Sequence, residues 1–331
     1  MMKTRALLFS TVLLASCRGG APAAPPATGC QVDLSAYQQP MFRKPDANPV
    51  PFVPYEVTDG LGIQVTFPPE AHSNGGLTYW LTGDEDLQAT VQLAVGAGET
   101  AWFGKPLFGI VLVDGVQKPF SVDGGEAALT SRHTVPAAKG TLTLQVRLDH
   151  QQLPAGAHDV AILFLHQKGP EFLTWLLTAI RDDYAFPKWE APPVGTPSKG
   201  QGGGSSVEAA GQVGLLRGKQ VPDDAGDLKL LFTVGTSDSG ACPGMVRRKL
   251  LVGFLDGQQV PLGELGPSPR FELAGTSATE FTVTLHGLRD GNAHGLSFVL
   301  LTDGEYSEAP LGVGKSPWWT VPEVIGWTTW N

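Results

Sequence analysis

One pattern of residues occurs twice along this chain, in the same order, and it limits what the chain can fold into. Asp86-Leu87 leading to Leu93-Ala94-Val95-Gly96 is answered by Asp227-Leu228 leading to Phe232-Thr233-Val234-Gly235. Ile110 to Phe120, with Asp114-Gly115 between apolar runs, parallels Leu251 to Leu262, with Asp256-Gly257 in the same place. Leu142 to Leu148 parallels Phe281 to Leu285. Leu153-Pro154-Ala155-Gly156, leading through His158 into Ala161 to Leu165, parallels Leu288-Arg289-Asp290-Gly291, leading through His294 into Ser297 to Leu301. Small insertions separate the blocks.

The blocks have the period of half-buried strands: Leu142, Leu144, Val146 and Leu148 point one way, and Thr143, Gln145 and Arg147 the other. Asp114-Gly115 and Asp256-Gly257 are hairpin signals, because glycine accepts a positive φ at no steric cost. The 42 glycines and 27 prolines among 331 residues break up long helices and suit short strands joined by turns. The expectation is an all-β chain of two tandem antiparallel β-sandwiches, residues 41–190 and 211–331. A Gly/Pro/Ser-rich linker over 191–210, containing Gly202-Gly203-Gly204-Ser205-Ser206, separates them. One short helix is expected in the first sandwich, from Pro170 to Arg181, where Pro and Glu171 suit a helix start. Its apolar residues cover most of the circumference, so it is either buried between the domains or an exposed sticky surface.

A strand, a Leu-x-x-Gly turn and a long apolar strand recur at Leu153 to Gly156 and at Leu288 to Gly291. In this the chain resembles the broad immunoglobulin-like and fibronectin type III-like groups, over about 90 residues per half. The Cys, Trp and Cys spacing of antibody domains is absent, so the resemblance implies an architecture and carries no activity.

The N-terminus reads Met1-Met2-Lys3-Thr4-Arg5, an apolar run from Ala6 to Leu14, then Ala15-Ser16-Cys17, which is the order of a secretion signal. The run is too short to cross a bilayer, for which about 20 residues are needed. At Leu14-Ala15-Ser16-Cys17 the sequence resembles the lipobox of bacterial lipoproteins. That resemblance implies cleavage of residues 1–16, a diacylglyceryl group on Cys17, and a place in the cell envelope. Arg18 in the position after the cysteine implies the outer membrane if the organism is diderm, and otherwise the outer face of the cell membrane. Residues 17–40 open with Gly, Ala and Pro and read as a flexible tether.

Loss of Lys3 and Arg5 with the leader takes the net charge from −9 to −11, which repels phosphate backbones and argues against nucleic acid as a partner. With Cys17 acylated, Cys30 and Cys242 remain in a compartment that permits oxidation, either as a disulfide or as two separate thiols.

Catalytic motifs are incomplete. Gly235-Thr236-Ser237-Asp238-Ser239 misses the last glycine of a nucleophile elbow, and Gly312-Val313-Gly314-Lys315-Ser316 lacks the upstream glycine of a phosphate loop. No cofactor is expected. The histidines, His72, His133, His150, His158, His166, His286 and His294, match no ligand spacing, although Cys242 and Met245 with His286 or His294 would suit copper or zinc. Asp84-Glu85-Asp86 and Asp223-Asp224 with Asp227 are carboxylate groups of the kind calcium takes, or else solvated turns. His158 and His294 occupy matching places at strand starts.

Trp318, Trp319, Trp327 and Trp330 are half of the chain's eight tryptophans, and either stack on a ligand such as a sugar or cap the core of the second sandwich. The reading is a lipid-anchored envelope protein that acts without catalysis as a binding or scaffolding module. Its partner would be an envelope protein or a polysaccharide, met through the C-terminal tryptophans or through Phe172 to Ile180. The alternatives are a copper or zinc protein using Cys242, Met245 and histidines, and a rigid spacer.

Overall fold

Alternation of apolar and polar residues builds the outer sheets, and uninterrupted apolar runs build the inner ones. The computed structural model describes residues 46–47, 52–74, 78–166, 172–182, 184, 222–235, 246–274, 278–302 and 323–330. In the first half, a four-stranded sheet has the order β1 (Leu61–Thr66), β4 (Leu87–Val95), β9 (Gly140–Leu148), β7 (Ser121–Val122). Facing it is a sheet ordered β2 (His72–Asn74), β3 (Thr78–Leu81), β11 (Phe172–Arg181), β10 (Gly156–His166), β5 (Pro106–Val113), β6 (Val116–Lys118), with β8 (Thr130–Thr134) also on β5. In the second half, β12 (Leu228–Gly235) pairs with β16 (Ala278–Leu285). The other sheet runs β14 (Gln258–Val260), β13 (Val246–Leu255), β17 (His294–Thr302), β18 (Glu323–Trp330), with β15 (Arg270–Ala274) on β13.

The expected β-sandwich architecture is therefore present in both halves, and the halves share a wiring. β4 pairs antiparallel with β9, Leu87 opposite Leu148, just as β12 pairs with β16, Leu228 opposite Leu285. β5 and β13 each carry a hairpin strand and a second short strand on one edge and a long antiparallel neighbour on the other. Asp114 and Asp256, at φ of 51° and 50°, lead Gly115 and Gly257, at 80° and 81°, through the two hairpins, as a two-residue turn between twisted strands requires.

Side-chain parity divides each inner strand between two environments. Val111, Val113, Val160 and Ile162 face the outer sheet and form the first sandwich's core, while Leu251, Leu296, Phe298 and Leu300 do so in the second. The intervening residues form a third cluster, in which Phe108, Ile110 and Leu112 of β5 meet Leu250, Val252 and Phe254 of β13, with β10 and β17 flanking. Both faces of the inner sheets are thus dry, and such strands read as continuous hydrophobic runs. Fully burying a side chain of this size is worth about 1.5–3 kcal/mol, so this third cluster holds the two halves as one body.

The polar rim of that contact is reciprocal. The Gln117 backbone N–H donates to Gln259 Oε1 at 2.7 Å, and the Gln259 backbone N–H donates to Gln117 Oε1 at 2.6 Å. Each amide NH2 then crosses to the other half's hairpin glycine, Gln117 Nε2 to the Gly257 carbonyl and Gln259 Nε2 to the Gly115 carbonyl, both at 2.9 Å. Thr130 Oγ1 joins the first carbonyl and Ser268 Oγ the second, both at 2.7 Å. The contacts obey a local two-fold relation between halves, as an isologous interface would.

One expectation is corrected. The segment expected as a helix is the strand β11, antiparallel to β10 and parallel to β3. Leu173, Trp175, Leu177 and Ala179 pack on the first core, whereas Leu176 reaches the cluster between the halves. Apolar residues all round mark a strand buried on both faces here, and periodicity alone does not separate that from a buried helix. Residues 1–16, 17–40 and the linker 191–210 lie outside the described residues.

Gln117→Ala or Gln259→Ala should each cost about 1–3 kcal/mol, because each strands an amide and carbonyls in a dry rim. The double variant should cost clearly less than the sum, since both substitutions disrupt one network. Urea unfolding of the four proteins measures this. Gly115→Ala should be worse than either, as its φ of 80° disfavours a side chain and a Cβ would stand 2.1 Å from Leu250 Cδ2.

Candidate functional site

The inner strands β5, β10, β13 and β17 are used up by packing, and among the described residues the outer sheet of the first half presents a groove to solvent. On β4, Leu87, Ala89 and Val91 turn inward and Gln88, Thr90 and Gln92 outward. The register sets Gln64 opposite Gln92, Thr66 opposite Thr90, and then Thr143 and Gln145 opposite Gln92 and Thr90 on the other side. The outward face of these three strands therefore carries glutamine and threonine in rows, without an ionisable side chain until Arg147. Arg147 is itself neutralised, its guanidinium holding Asp86 at 2.5 and 2.6 Å. In the second half the outer sheet carries the exposed Lys229 opposite Thr284, so the uncharged face belongs to the first half.

A strap of chain crosses this face. Tyr55 lies over Gly62, where a Cβ would stand 2.5 Å from the tyrosine oxygen, so a side chain there would push the ring aside. Thr141 Oγ1 donates to the Tyr55 carbonyl at 2.8 Å, and Gly96 N–H to the Gly60 carbonyl at 2.8 Å. Where the strap reaches the sheet's corner, Phe52 stands 54% exposed and closes a groove of about 220 Å³. Thr66, Gln88, Thr90 and Gln145 line it from the sheet, and Phe67, Pro68 and Pro69 from the turn after β1. Thr90 Oγ1 donates to Gln145 Oε1 at 2.9 Å. Gln92, next in the row, is buried with its carbonyl oxygen unpartnered.

The titratable clusters foreseen from sequence act as ties between turns. Asp86 accepts from the His150 backbone N–H at 2.8 Å as well as from Arg147; burial pushes its carboxyl up, but these contacts outweigh it and hold it below the usual range. Glu85 caps the Thr82 N–H and Asp223 takes the N–H groups of Ala225 and Asp227, so one or two carboxylates of each acidic cluster hold turn backbone, while Asp84 and Asp224 stand exposed. Asp86, Asp149 and His150 do gather ligand atoms within 4.8 Å, with the Arg147 guanidinium already seated on Asp86.

The two matching histidines perform one task twice. His158 Nδ1 meets Asp114 at 2.7 Å and His294 Nδ1 meets Asp256 at 2.6 Å, while the other oxygen of each aspartate accepts the next residue's N–H. Each pair thereby locks the hairpin that enters the interface. The Asp114 hydrogen bond raises the His158 pKa against the effect of burial. Asp290, at 2.7 Å from Nε2, leads Asp256 in raising that of His294. Both ring nitrogens of His294 are thus engaged by carboxylates, which removes it from a set with Cys242 and Met245. His286 Nδ1 is on Asp227 at 2.8 Å.

Cys17, Cys30, Cys242, Met245, Trp318 and Trp319, together with residues 236–239 and 312–316, lie outside the described residues. Trp327 and Trp330 sit in β18, opposite Ser297 and His294. The groove itself went unread in the sequence, although the outward Thr143 and Gln145 were visible there.

No family model matches the chain, and no curated protein matches it. Among solved structures it aligns with AggA, the major subunit of aggregative adherence fimbriae type I from Escherichia coli, at 10% identity and a TM-score of 0.24, over 39% of this chain and 99% of that one. The YadV chaperone aligns at 12% identity and a TM-score of 0.22, over 81% of this chain and 99% of that one. Red sea bream transglutaminase aligns at 13% identity and a TM-score of 0.22, over 81% of this chain, which spans 30% of the enzyme. Scores at this level carry no argument, and the sandwich assignment rests on the strand pairing.

Histidines with raised pKa values contribute stability that is complete below their unfolded value, near 6.5, and is lost as pH rises through the higher folded value. His133 works in the opposite sense, burial holding it down. The unfolding midpoint is therefore expected to fall between pH 6 and 9 less steeply in His158→Gln and His294→Gln than in the parent. Denaturant titrations at stepped pH measure it, and parallel curves would exclude the two histidines as the source.

Proposed function

We propose that this chain is a lipid-anchored cell-envelope protein that acts without catalysis, as a rigid two-sandwich module binding an envelope protein or polysaccharide. Support for the address comes from the leader and from Leu14-Ala15-Ser16-Cys17. The matched wiring and reciprocal interface support descent of both halves from one sandwich, joined as a homodimer once was.

The observation that carries the binding role is the uncharged outer face of β1, β4 and β9 with its groove under Phe52. A sheet face in contact with water ordinarily mixes charged residues into its outward positions, as the second half does at Lys229. Loss of charge over one outward face lowers the desolvation cost of a partner settling on it.

Two measurements test the reading. Cys17→Ser should abolish incorporation of a labelled fatty acid and move the protein from the membrane to the soluble fraction; unchanged fractionation would remove the anchor. Mature protein immobilised through its C-terminus should retain envelope components that a Thr90→Lys, Gln145→Lys variant loses. Equal retention by both proteins would remove the binding face.

A further inference from the structure

We propose that the groove beneath Phe52 is a binding site for one ring of a neutral saccharide. This deepens the binding role above and rests on it. The chemistry of the lining selects the ligand class. Its polar members, Thr66, Gln88, Thr90 and Gln145, are hydroxyls and amides, each able to trade hydrogen bonds with a polyol, and none carries charge. Of its apolar members, Phe52 is exposed and offers an aromatic ring to the C–H face of a sugar, while Phe67, its ring packed 4.6 Å from that of Tyr79, and two prolines complete the wall. Within the lining, Thr90 Oγ1 already donates to Gln145 Oε1, which leaves the Gln145 NH2 to donate to a ligand hydroxyl.

Charge decides between saccharide types. Arg147, the cation on this face, has its charge offset by Asp86, which holds Nε and one terminal nitrogen, and it is not among the residues lining the groove. The carboxylates at the rim, Asp123 on the Gln145 backbone N–H and Glu70 beside Pro69 in the chain, would repel an acidic sugar. A peptide is the poorer match, because extended peptides pair with the open edge of a sheet and this groove lies across its face. The volume, about 220 Å³, is below the ~300–1,000 Å³ of sites that enclose a whole drug-sized ligand. The site therefore grips a single unit of a longer chain whose remainder stays in solvent, and binding is weak, with a Kd on the order of 1 mM for a short oligosaccharide.

The test uses the leader-free chain with Cys17→Ser, titrated by NMR with neutral hexasaccharides of glucose, mannose and N-acetylglucosamine and with polygalacturonate. At least one neutral hexasaccharide should bind with shifts at Gln88, Thr90 and Gln145, little changed between low and high salt. Polygalacturonate should not bind. Phe52→Ala, a change at an exposed side chain that leaves the core intact, should weaken binding about tenfold, and Gln145→Ala several-fold. Leu265→Ala, exposed on the second half, should leave it unchanged.

The proposal is overturned if no neutral saccharide binds at 20 times the expected Kd, if Phe52→Ala binds as the parent does, or if polygalacturonate binds equally well. It is equally overturned if the groove resonances answer only to removal of residues 41–51, which would make the chain's own segment the occupant. The envelope-retention experiment separates the two levels. Retention that depends on Thr90 and Gln145 without saccharide binding sinks the ligand class and leaves the binding face standing.

Discussion

Burial of the inner sheets on both faces is the constraint from which the rest of the architecture follows. A β-sandwich normally needs one dry side per sheet, and here β5, β10, β13 and β17 have two. The second dry side must be covered by something of matching shape, and the other half of the same chain supplies it. Because the two halves are wired alike, the cover is reciprocal, and one glutamine from each half closes the rim with hydrogen bonds that the other returns. Removing either half would expose the apolar face of this third cluster. The halves are therefore a single mechanical unit.

That arrangement also decides where function can reside. With the inner sheets committed, the outer sheets are the faces left to solvent, and they differ in chemistry. The second half keeps charge at Lys229, whereas the first half carries none across three strands until Arg147. The histidine pairs and acidic turns, which look chemical in the sequence, are instead positioned to hold hairpins and loops. His158 on Asp114 and His294 on Asp256 stiffen the two turns whose glycine carbonyls receive the rim amides. Two carboxylates on His294 leave it no nitrogen for a metal, a fact that spacing along the chain cannot reveal.

Much of the fold was legible because strand chemistry is local. Alternation at Leu142 to Leu148, the two Asp-Gly turns and the order of matched blocks led to an all-β chain with two sandwiches, and the pairing agrees. The segment from Phe172 to Arg181 misled because a strand dry on both faces loses the alternation that identifies strands, and what remains is an apolar run with a proline before it. The groove escaped for a different reason. Gln145 was readable as an outward residue, but Phe52 and Pro68 come from segments without periodicity, and nothing local says that a strap will cross the sheet at Gly62.

The sequence by itself determined the strand content, the hairpins at Asp114-Gly115 and Asp256-Gly257, and the likeness of the halves, since each depends on residues close together in the chain. Only the tertiary structure decided that Gln117 would meet Gln259, 142 positions away, and that Phe52 would close a groove over β4 and β9. Those contacts depend on which faces are already buried, a property of the assembled sheets that no short stretch of residues carries.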